Sequence, residues 1–272
     1  MVKVIYPDTP GVPVTDRGLA YGDGLFETIR MSGQRPVLGN LHLRRMLVDA
    51  GRLGINIDAG QLDLAFSDAV QHLVPTAKTG SCILKMILTR GSGGRGYRSP
   101  EPSEPNLIFS VTPMPSMPET GGVSVRCARF PLSVNPGLAG IKTLNRLQQV
   151  MASREFSGAE WELIMCDAAG CLAEGTRTNL LVRLADHWVT PPVSSIAVAG
   201  VMREYAMACL RSAGERVIEQ PLPRDITARS DFRGLYLLNS VFGAVAVRSL
   251  DSVDLPVDGS LATICDFPDT ME

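Results

Sequence analysis

Short runs of branched apolar residues recur through the first part of the chain, with the length and alternation that are typical of β-strands. They predict strands at 3–6, 25–31, 81–89 and 106–112. Between the second and third runs the apolar spacing changes to that of amphipathic helices. One helix is predicted after Asn40, as an N-cap, and another after Asp58.

The first predicted helix has two distinct faces. Apolar residues recur on one face at helical spacing, and a second face carries charged residues and a histidine. The apolar face consists of Leu43, Met46, Leu47, Ala50 and Leu53, and the polar face consists of His42, Arg45, Asp49 and Arg52. A polar face of this kind ordinarily meets water.

The sharpest change in composition lies at 112–122, where three prolines and then two glycines remove backbone donors and helix propensity. It predicts a linker at 113–122, between a smaller α/β domain at 1–112 and a larger domain at 123–272. In the larger domain the patterns predict strands at 123–129, 217–219, 235–239 and 244–247, a hairpin at 160–182, and helices at 144–156, 201–212 and 223–228. The predicted fold class is α+β with two domains.

Composition excludes several classes of function. The net charge of −2 comes from 26 basic and 28 acidic residues that are interspersed, which is not the pattern of a nucleic-acid or membrane-surface binder. Three histidines and six cysteines are scattered without metal-ligand spacing, and no apolar run has the length of a signal peptide or a membrane helix. We expect a cytoplasmic enzyme of small molecules without a metal.

Two residues are candidates for covalent and acid-base chemistry. Lys142 follows a stretch with a proline and two glycines and has apolar neighbours, where a neutral amine is free to form an imine. Glu174 lies on the return strand of the predicted hairpin, where it would keep a pyridine nitrogen protonated. The alternatives are a surface lysine ahead of a helix and a solvated strand carboxylate.

Other segments are suited to anions and to a substrate. Val201 and Met202 follow Gly200 at a helix N-terminus, whose backbone N–H groups suit a phosphate, and Arg45 and Ser240 offer further donors. The glycine-rich segment 90–97 lacks the ending of a Walker loop and predicts a substrate loop with Arg95 and Tyr97 at its tip. Segment 16–30, which has three glycines ahead of a strand, would let the backbone pass close to a ligand. For both glycine-rich segments an ordinary turn stays an alternative.

Taken together and in this order, these segments resemble the class IV aminotransferase family. This is the family of fold-type IV pyridoxal-phosphate enzymes, which includes branched-chain and D-amino-acid aminotransferases and aminodeoxychorismate lyases. The resemblance runs from Asp16 to about Val247, and segments 90–97 and 138–146 are most similar to those of the lyases. It implies a two-domain fold with the cofactor pyridoxal 5'-phosphate at the domain interface.

The resemblance also implies roles for individual residues. Lys142 would bind the cofactor as an imine, Glu174 would hold its ring nitrogen, and Thr28 would take part in proton transfer. The phosphate ligands would be Arg45, Val201, Met202 and Ser240, with some uncertainty of register at Ser240 because segment 239–247 lacks a familiar proline. Asn145, Arg146 and Asn179 match the motifs with less certain roles, Asn179 at the cofactor and Asn145 and Arg146 at the substrate. Charge matching gives Arg95, Arg146 and Arg30 as partners of substrate carboxylates.

The lyases of this family convert 4-amino-4-deoxychorismate to 4-aminobenzoate and pyruvate, and this is the activity that we expect. A homodimer is implied as well, because family members complete each active site with a loop from the neighbouring subunit. The alternative within the fold is a D-amino-acid or branched-chain aminotransferase. The alternative of another class is a non-enzymatic carrier of pyridoxal phosphate, which would need neither Thr28 nor the loop with Arg95 and Tyr97.

Overall fold

The structure, a computed structural model, describes residues 2–77 and 80–265. This part of the chain divides into two units, each of which is described below by itself. The first runs up to Pro115 and includes Lys142–Asn145, and the second comprises Ser116–Ile141 and the described residues from Arg146 onward. Lys142–Asn145 lies within the predicted C-terminal domain at 123–272, but in the structure this segment belongs to the first unit.

The first unit is built on a sheet and three helices. Its strands are β1 (Lys3–Ile5), β2 (Gly24–Ser32), β3 (Arg35–Pro36), β4 (Ser81–Thr89) and β5 (Asn106–Pro113), and its helices are α1 (Arg17–Tyr21), α2 (Gly39–Leu53) and α3 (Ala59–Leu73). The strand order is β1-β5-β4-β2-β3, with β1 parallel to β5 and the other neighbours antiparallel. The four strands predicted in this part of the chain are confirmed.

The two long helices begin in different ways. The Asp58 side chain accepts a hydrogen bond from the Gln61 N–H, at 3.0 Å, so the predicted start of α3 is confirmed. The prediction that Asn40 caps α2 is wrong. The first intrahelical acceptor is the carbonyl of Leu38, which bonds the N–H groups of Leu41 and His42, so Asn40 already lies within the helix.

In its described residues, the second unit forms a nine-stranded sheet. Its strands are β6 (Val123–Cys127), β7 (Glu162–Cys166), β8 (Leu172–Gly175), β9 (Asn179–Leu184), β10 (Trp188–Thr190), β11 (Val217–Glu219), β12 (Phe232–Asn239), β13 (Gly243–Leu250) and β14 (Val253–Asp254). Its helices are α4 (Leu147–Ser153), α5 (Val201–Ser212) and α6 (Ser260–Ile264). The predicted helix at 223–228 is a 3-10 turn at Arg224–Ala228.

Six of these strands close into a ring in the order β9-β12-β13-β6-β7-β8. The ring closes where β8 meets β9 again, through the pairing of Glu174 with Asn179. Apolar side chains of β6, β9, β12 and β13 pack together as one buried cluster. The ring therefore places two residues with predicted cofactor roles opposite each other on neighbouring strands.

Two predicted elements are shorter in the structure than in the sequence analysis. The predicted helix at 144–156 begins only at Leu147; the residues before it pair with β2 instead, where Thr143 bridges Leu25 and the Leu144 N–H bonds the Gly24 carbonyl at 2.9 Å. The predicted strand at 123–129 ends at Cys127. Beyond it the N–H groups of Arg129 and Phe130 bond the carboxylate of Glu155, so the chain leaves the sheet.

Candidate active site

The Lys142 segment is attached to the first half of β2 by backbone hydrogen bonds. Phe26 donates to the Lys142 carbonyl at 3.1 Å, and Thr143 forms an antiparallel bridge with Leu25. The Lys142 N–H donates to the Asp49 carboxylate at 3.1 Å. The backbone of Lys142 is therefore held from both sides, by a strand and by a helix of the first unit.

The Lys142 amine lies over an aromatic face. Its Nζ is 4.1 Å from the centroid of the Phe26 ring, a contact that favours an ammonium group over the ring. Because side chains alternate along a strand, Phe26 shares its face of β2 with Thr28 and Arg30. The structure thus brings Lys142 to the strand face that carries two more of the residues predicted from the sequence.

Arg45 is held by a buried carboxylate from β2. Its Nε and Nη2 donate to Glu27 Oε1 and Oε2 at 2.8 and 2.5 Å, so the contact is bidentate. Burial alone would raise the pKa of Glu27, but the charge of Arg45 and the hydrogen bonds from Arg45 and His42 hold it at about 2. Glu27 is therefore ionised, and it directs the guanidinium of Arg45.

His42 completes this cluster from the first turn of α2. Its Nδ1 lies 2.6 Å from Glu27 Oε2, and the side chain has no exposed surface. Burial lowers the pKa of His42 more than the Glu27 carboxylate raises it, and the charges of Arg45 and Lys142 lower it further. His42 is therefore a neutral imidazole, although it contacts a carboxylate.

Much of the polar face of α2 is buried, although Arg52 in its last turn is exposed. His42 and Asp49 are as buried as Met46 and Ala50 of the apolar face, whereas Leu47 is only half-buried. Burial raises the pKa of Asp49. The hydrogen bond from the Lys142 N–H lowers this pKa, but by less than burial raises it. The physical reason is that this face packs on β2 and on the Lys142 segment, both of which supply polar partners.

Glu174 lies in a closed polar setting within the second unit. Its Oε2 accepts from the N–H groups of Ala197 and Val198 at 3.0 and 3.2 Å, and its Oε1 accepts from Gln149 Nε2 at 3.2 Å. Its side chain is almost fully buried. Burial raises the pKa of Glu174 to about 7, in spite of these hydrogen bonds and the charge of Arg146.

Asn179 anchors the segment that leads into α5. Its Oδ1 accepts from the Gly200 N–H at 3.1 Å, and its Nδ2 donates to the Val198 carbonyl at 2.8 Å. A Cβ at position 200 would lie 2.1 Å from Asn179 Oδ1, so only glycine allows this approach. Asn179 therefore sets where the N-terminal N–H groups of α5, including those of Val201 and Met202, are directed.

The remaining candidates of the second unit lie near these elements. Ser240 is half-buried in the turn between β12 and β13, where the Asn239 side chain accepts from the N–H groups of Val241 and Phe242. Arg146 donates to the Ile141 carbonyl at 3.3 Å. Burial lowers the pKa of Arg146, and the charge of Glu174 opposes the shift.

The glycine-rich loop is fastened at both ends by arginines. Arg17 donates to the carbonyls of Gly96 and Tyr97 at 3.0 and 2.9 Å, and through Nε to the Asp23 carboxylate. Arg90 donates to the same carboxylate. Burial alone would raise the pKa of Asp23, but the hydrogen bonds and charges of these two arginines lower it below its ordinary value. The loop is thus an anchored element.

At the tip of this loop, Arg95 and Tyr97 are exposed. The Tyr97 ring meets the Tyr21 ring edge to face, with their centroids 5.6 Å apart. Asn145, which is also exposed, donates to the Gly22 carbonyl at 3.0 Å and so fastens the end of the Lys142 segment. Within the first unit, the side chain of Asn145 therefore contacts the backbone of the segment that precedes β2.

Comparison with known proteins identifies the family. The description "Amino-transferase class IV" matches residues 24–250, which is most of the chain. The chain belongs to the class IV aminotransferase family.

Class IV relatives include both lyases and transaminases. The chain is similar to the crystal structure of 4-amino-4-deoxychorismate lyase from Pseudomonas aeruginosa, with 35% identity, a TM-score of 0.87, and coverage of 94% of this chain and 93% of that one. It is 29% identical to aminodeoxychorismate lyase of Vibrio harveyi, over 91% of this chain and 90% of the relative. It is 23% identical to D-alanine aminotransferase of Bacillus licheniformis, over 88% and 83% of the two chains. The fold is accordingly the two-domain α+β fold of type IV.

Several residues around these sites were not singled out from the sequence of this class IV enzyme. They are Phe26, Glu27, Asp49 and Gln149, together with His42, which was considered only as a metal ligand. One signal was available for Glu27, because it is a charged residue on the same strand face as the apolar Leu25 and Ile29. Among residues 2–77 and 80–265, no helix has the length and apolarity to cross a membrane, and no three His, Cys, Asp or Glu side chains cluster as metal ligands.

Proposed function

We propose that this class IV enzyme is a pyridoxal-phosphate-dependent lyase that converts 4-amino-4-deoxychorismate to 4-aminobenzoate and pyruvate, a step toward folate. The similarity to the lyases of P. aeruginosa and V. harveyi supports the reaction. The observation that carries the cofactor assignment is Glu174, a buried carboxylate held by two backbone N–H groups with a pKa raised to about 7. Such a group is suited to a cationic ring N–H as its partner.

The other donors fit the same cofactor. In the proposal Lys142 holds its aldehyde carbon covalently, and Arg45 and the N-terminal N–H groups of Val201 and Met202 bind its phosphate, with Ser240 as a further donor. Both kinds of donor are present in the structure, as an arginine directed by Glu27 and as a helix whose start is fixed by Asn179. When bound, pyridoxal phosphate supplies an electron-accepting ring next to the substrate amine.

The protein's own residues then move protons and orient the substrate. The Lys142 amine, which the substrate amine would displace from the cofactor, then takes the proton from the substrate carbon that bears nitrogen, and it acts from a backbone that Phe26 and Asp49 hold fixed. Thr28, on the strand face beneath that amine, relays a proton to the departing pyruvate. Loss of pyruvate makes the substrate ring aromatic, which drives the step forward.

Two carboxylates on the substrate require cationic partners. Arg30 shares the strand face of Thr28 and is buried, which supports it as one of them. Arg95, Arg146, Tyr97 and Asn145 stay proposals from sequence and charge matching. An unchanged kcat/KM for aminodeoxychorismate in Arg95→Ala would remove Arg95 from this set.

The decisive experiment combines two assays on the purified protein with pyridoxal phosphate. We expect 4-aminobenzoate from 4-amino-4-deoxychorismate, and only slow D-glutamate formation from D-alanine and 2-oxoglutarate. Fast D-glutamate formation without 4-aminobenzoate would instead establish an aminotransferase, in line with the similarity to D-alanine aminotransferase. A cofactor that stays on its lysine with every amine offered would establish a carrier.

The cofactor linkage is tested separately. We expect a visible absorption band that borohydride abolishes, and a reduced peptide that carries the cofactor on Lys142. Reduction onto another lysine, or an undiminished turnover in Lys142→Ala, would refute the assignment. The proposal includes a cytoplasmic homodimer, which the exposed apolar side chains of Leu147 and Val150 on α4 support and which sedimentation equilibrium would test.

A further inference from the structure

His42 is a buried titratable residue to which the proposed reaction gives no role. It is fully buried, and among the described residues its Nε2 has no hydrogen-bond partner. A buried polar atom without a partner is destabilising, so an apolar side chain would fill this position at a lower cost in free energy. The contact that offsets this cost is the one at Nδ1, with Glu27.

The chemistry of the two partners fixes the tautomer of His42. Glu27 is ionised, so its oxygens only accept hydrogen bonds, and Nδ1 must carry the proton that lies between them. The imidazole is neutral, which makes Nε2 the unprotonated nitrogen. His42 therefore gives Glu27 a hydrogen bond without adding a second positive charge.

The geometry links this hydrogen bond to Arg45. One Glu27 oxygen, Oε2, accepts from both His42 Nδ1 and Arg45 Nη2, while Oε1 accepts from Arg45 Nε. His42 and Arg45 are three residues apart on α2 and so face the same point on β2. With the carboxylate held by His42, the plane of the guanidinium is set, and its Nη1 edge is directed away from Glu27.

We propose that His42 is a positioning residue, which holds the Glu27 carboxylate and through it orients Arg45 toward the phosphate of the cofactor. The inference rests on the proposed role of Arg45 as a phosphate ligand. Its physical basis is that an arginine side chain has many rotamers, and that a fixed guanidinium loses less conformational entropy when it binds an anion. Partners that act in this way on ligands of bound ions commonly contribute a factor of about ten or more to affinity.

The test measures phosphate recognition in the cofactor-free protein without any turnover. Pyridoxamine 5'-phosphate and pyridoxamine do not condense with a lysine, so the ratio of their dissociation constants by calorimetry reports the contribution of the phosphate. We expect this ratio to fall about tenfold in His42→Ala. His72→Ala is the matched control, because His72 also pairs with a helix carboxylate, at 3.0 Å from Asp68, but is exposed. Its ratio should equal that of the wild type.

A pair of polar variants keeps the test valid if His42→Ala folds poorly. The amide nitrogen of asparagine lies near the position of Nδ1, and that of glutamine near the position of Nε2. We therefore expect His42→Asn to restore the ratio to within about twofold, and His42→Gln to fail. Because the imidazole facing Glu27, Arg45 and Lys142 has a lowered pKa and is neutral at neutral pH, wild type and His42→Asn should show the same pH dependence of the ratio from about pH 7 to about pH 8.

Two different failures can be told apart. If Arg45→Gln lowers the ratio but none of the His42 variants does, the positioning role of His42 is wrong while the phosphate role of Arg45 stands. If Arg45→Gln leaves the ratio unchanged, the phosphate assignment in the proposed function is wrong. Rescue by His42→Gln in place of His42→Asn, or a wild-type ratio that falls as a histidine loses its proton, would also overturn the positioning role.

Discussion

Glu174→Gln is expected to stabilise the cofactor-free protein at neutral and alkaline pH. An unperturbed glutamate carboxyl has a pKa of 4.5, whereas burial, which disfavours the charge, raises the pKa of Glu174 to about 7 in the folded protein. Between these two values the folded state binds more protons than the unfolded state, so stability falls as the pH rises through this window. Below the window the neutral carboxyl keeps its full contribution, and above about pH 7 that contribution is lost.

The size of the effect follows from the shift in pKa. One pKa unit corresponds to about 1.4 kcal/mol, so the full effect is about 3 kcal/mol, of which about 2.5 kcal/mol develops between pH 5 and pH 8. Glutamine is neutral throughout, its carbonyl can accept the N–H groups of Ala197 and Val198, and its NH2 can donate to Gln149 once the Gln149 amide rotates to present its oxygen. The variant therefore avoids the penalty of ionisation and keeps the hydrogen bonds.

The assay is urea unfolding at several pH values between 5 and 8, followed by far-UV circular dichroism. We expect the free energy of unfolding of Glu174→Gln, minus that of the wild type, to rise by about 2.5 kcal/mol over this range. Glu119→Gln is the control, since Glu119 is exposed and its difference should stay flat. A flat difference for Glu174→Gln as well would refute the reasoning, and added pyridoxal phosphate should stabilise the wild type more than this variant.

Three further changes test how the site is held. Glu162→Ala should lower the free energy of unfolding by about 3 kcal/mol or more, because this buried carboxylate accepts hydrogen bonds from five donors, four of them in the turn between β8 and β9. Glu119 is exposed, so Glu119→Ala should lower the free energy of unfolding by less than about 1 kcal/mol. Equal losses in the two variants would contradict this prediction. Arg17→Ala should speed amide hydrogen exchange in the glycine-rich loop, and unchanged protection would show that Arg17 does not anchor it. Asp49→Ala should speed amide hydrogen exchange at the Lys142 N–H, whereas Asp49→Asn, which keeps an acceptor oxygen, should leave this N–H protected. Identical exchange in the two variants would exclude this contact.

The strands and long helices were predictable because their signals are local. The apolar run at 81–89 has the bounds of β4, and Asp58 caps α3 as expected. The errors lie where a distant partner takes the backbone groups. Residues 143 and 144 pair with β2 before the helix begins, and Arg129 bonds Glu155 beyond the end of its strand. Spacing along the chain carries no information about such partners.

The residues proposed for the chemistry could be found from motifs, whereas their supporting residues could not. Lys142 and Glu174 stand in segments that resemble those of a known family. Glu27, His42 and Asp49 have no such mark, and the spacing of α2 places His42 and Asp49 only on a face other than the apolar one. They are buried because α2 packs its polar face on a strand that offers a carboxylate.

By itself the sequence determined the fold class and the family, and it identified the amine and the carboxylate that we propose for the chemistry, because periodicity and motifs are written in neighbouring residues. Only the tertiary structure decided that Arg45 is directed by Glu27, that His42 is neutral, and that the pKa of Glu174 is raised. Burial and charge at one residue depend on groups that are distant in the chain. Ala197 and Val198, whose N–H groups donate to Glu174, lie 23 and 24 positions after it. Their effects on a pKa appear only when the chain has brought them into contact.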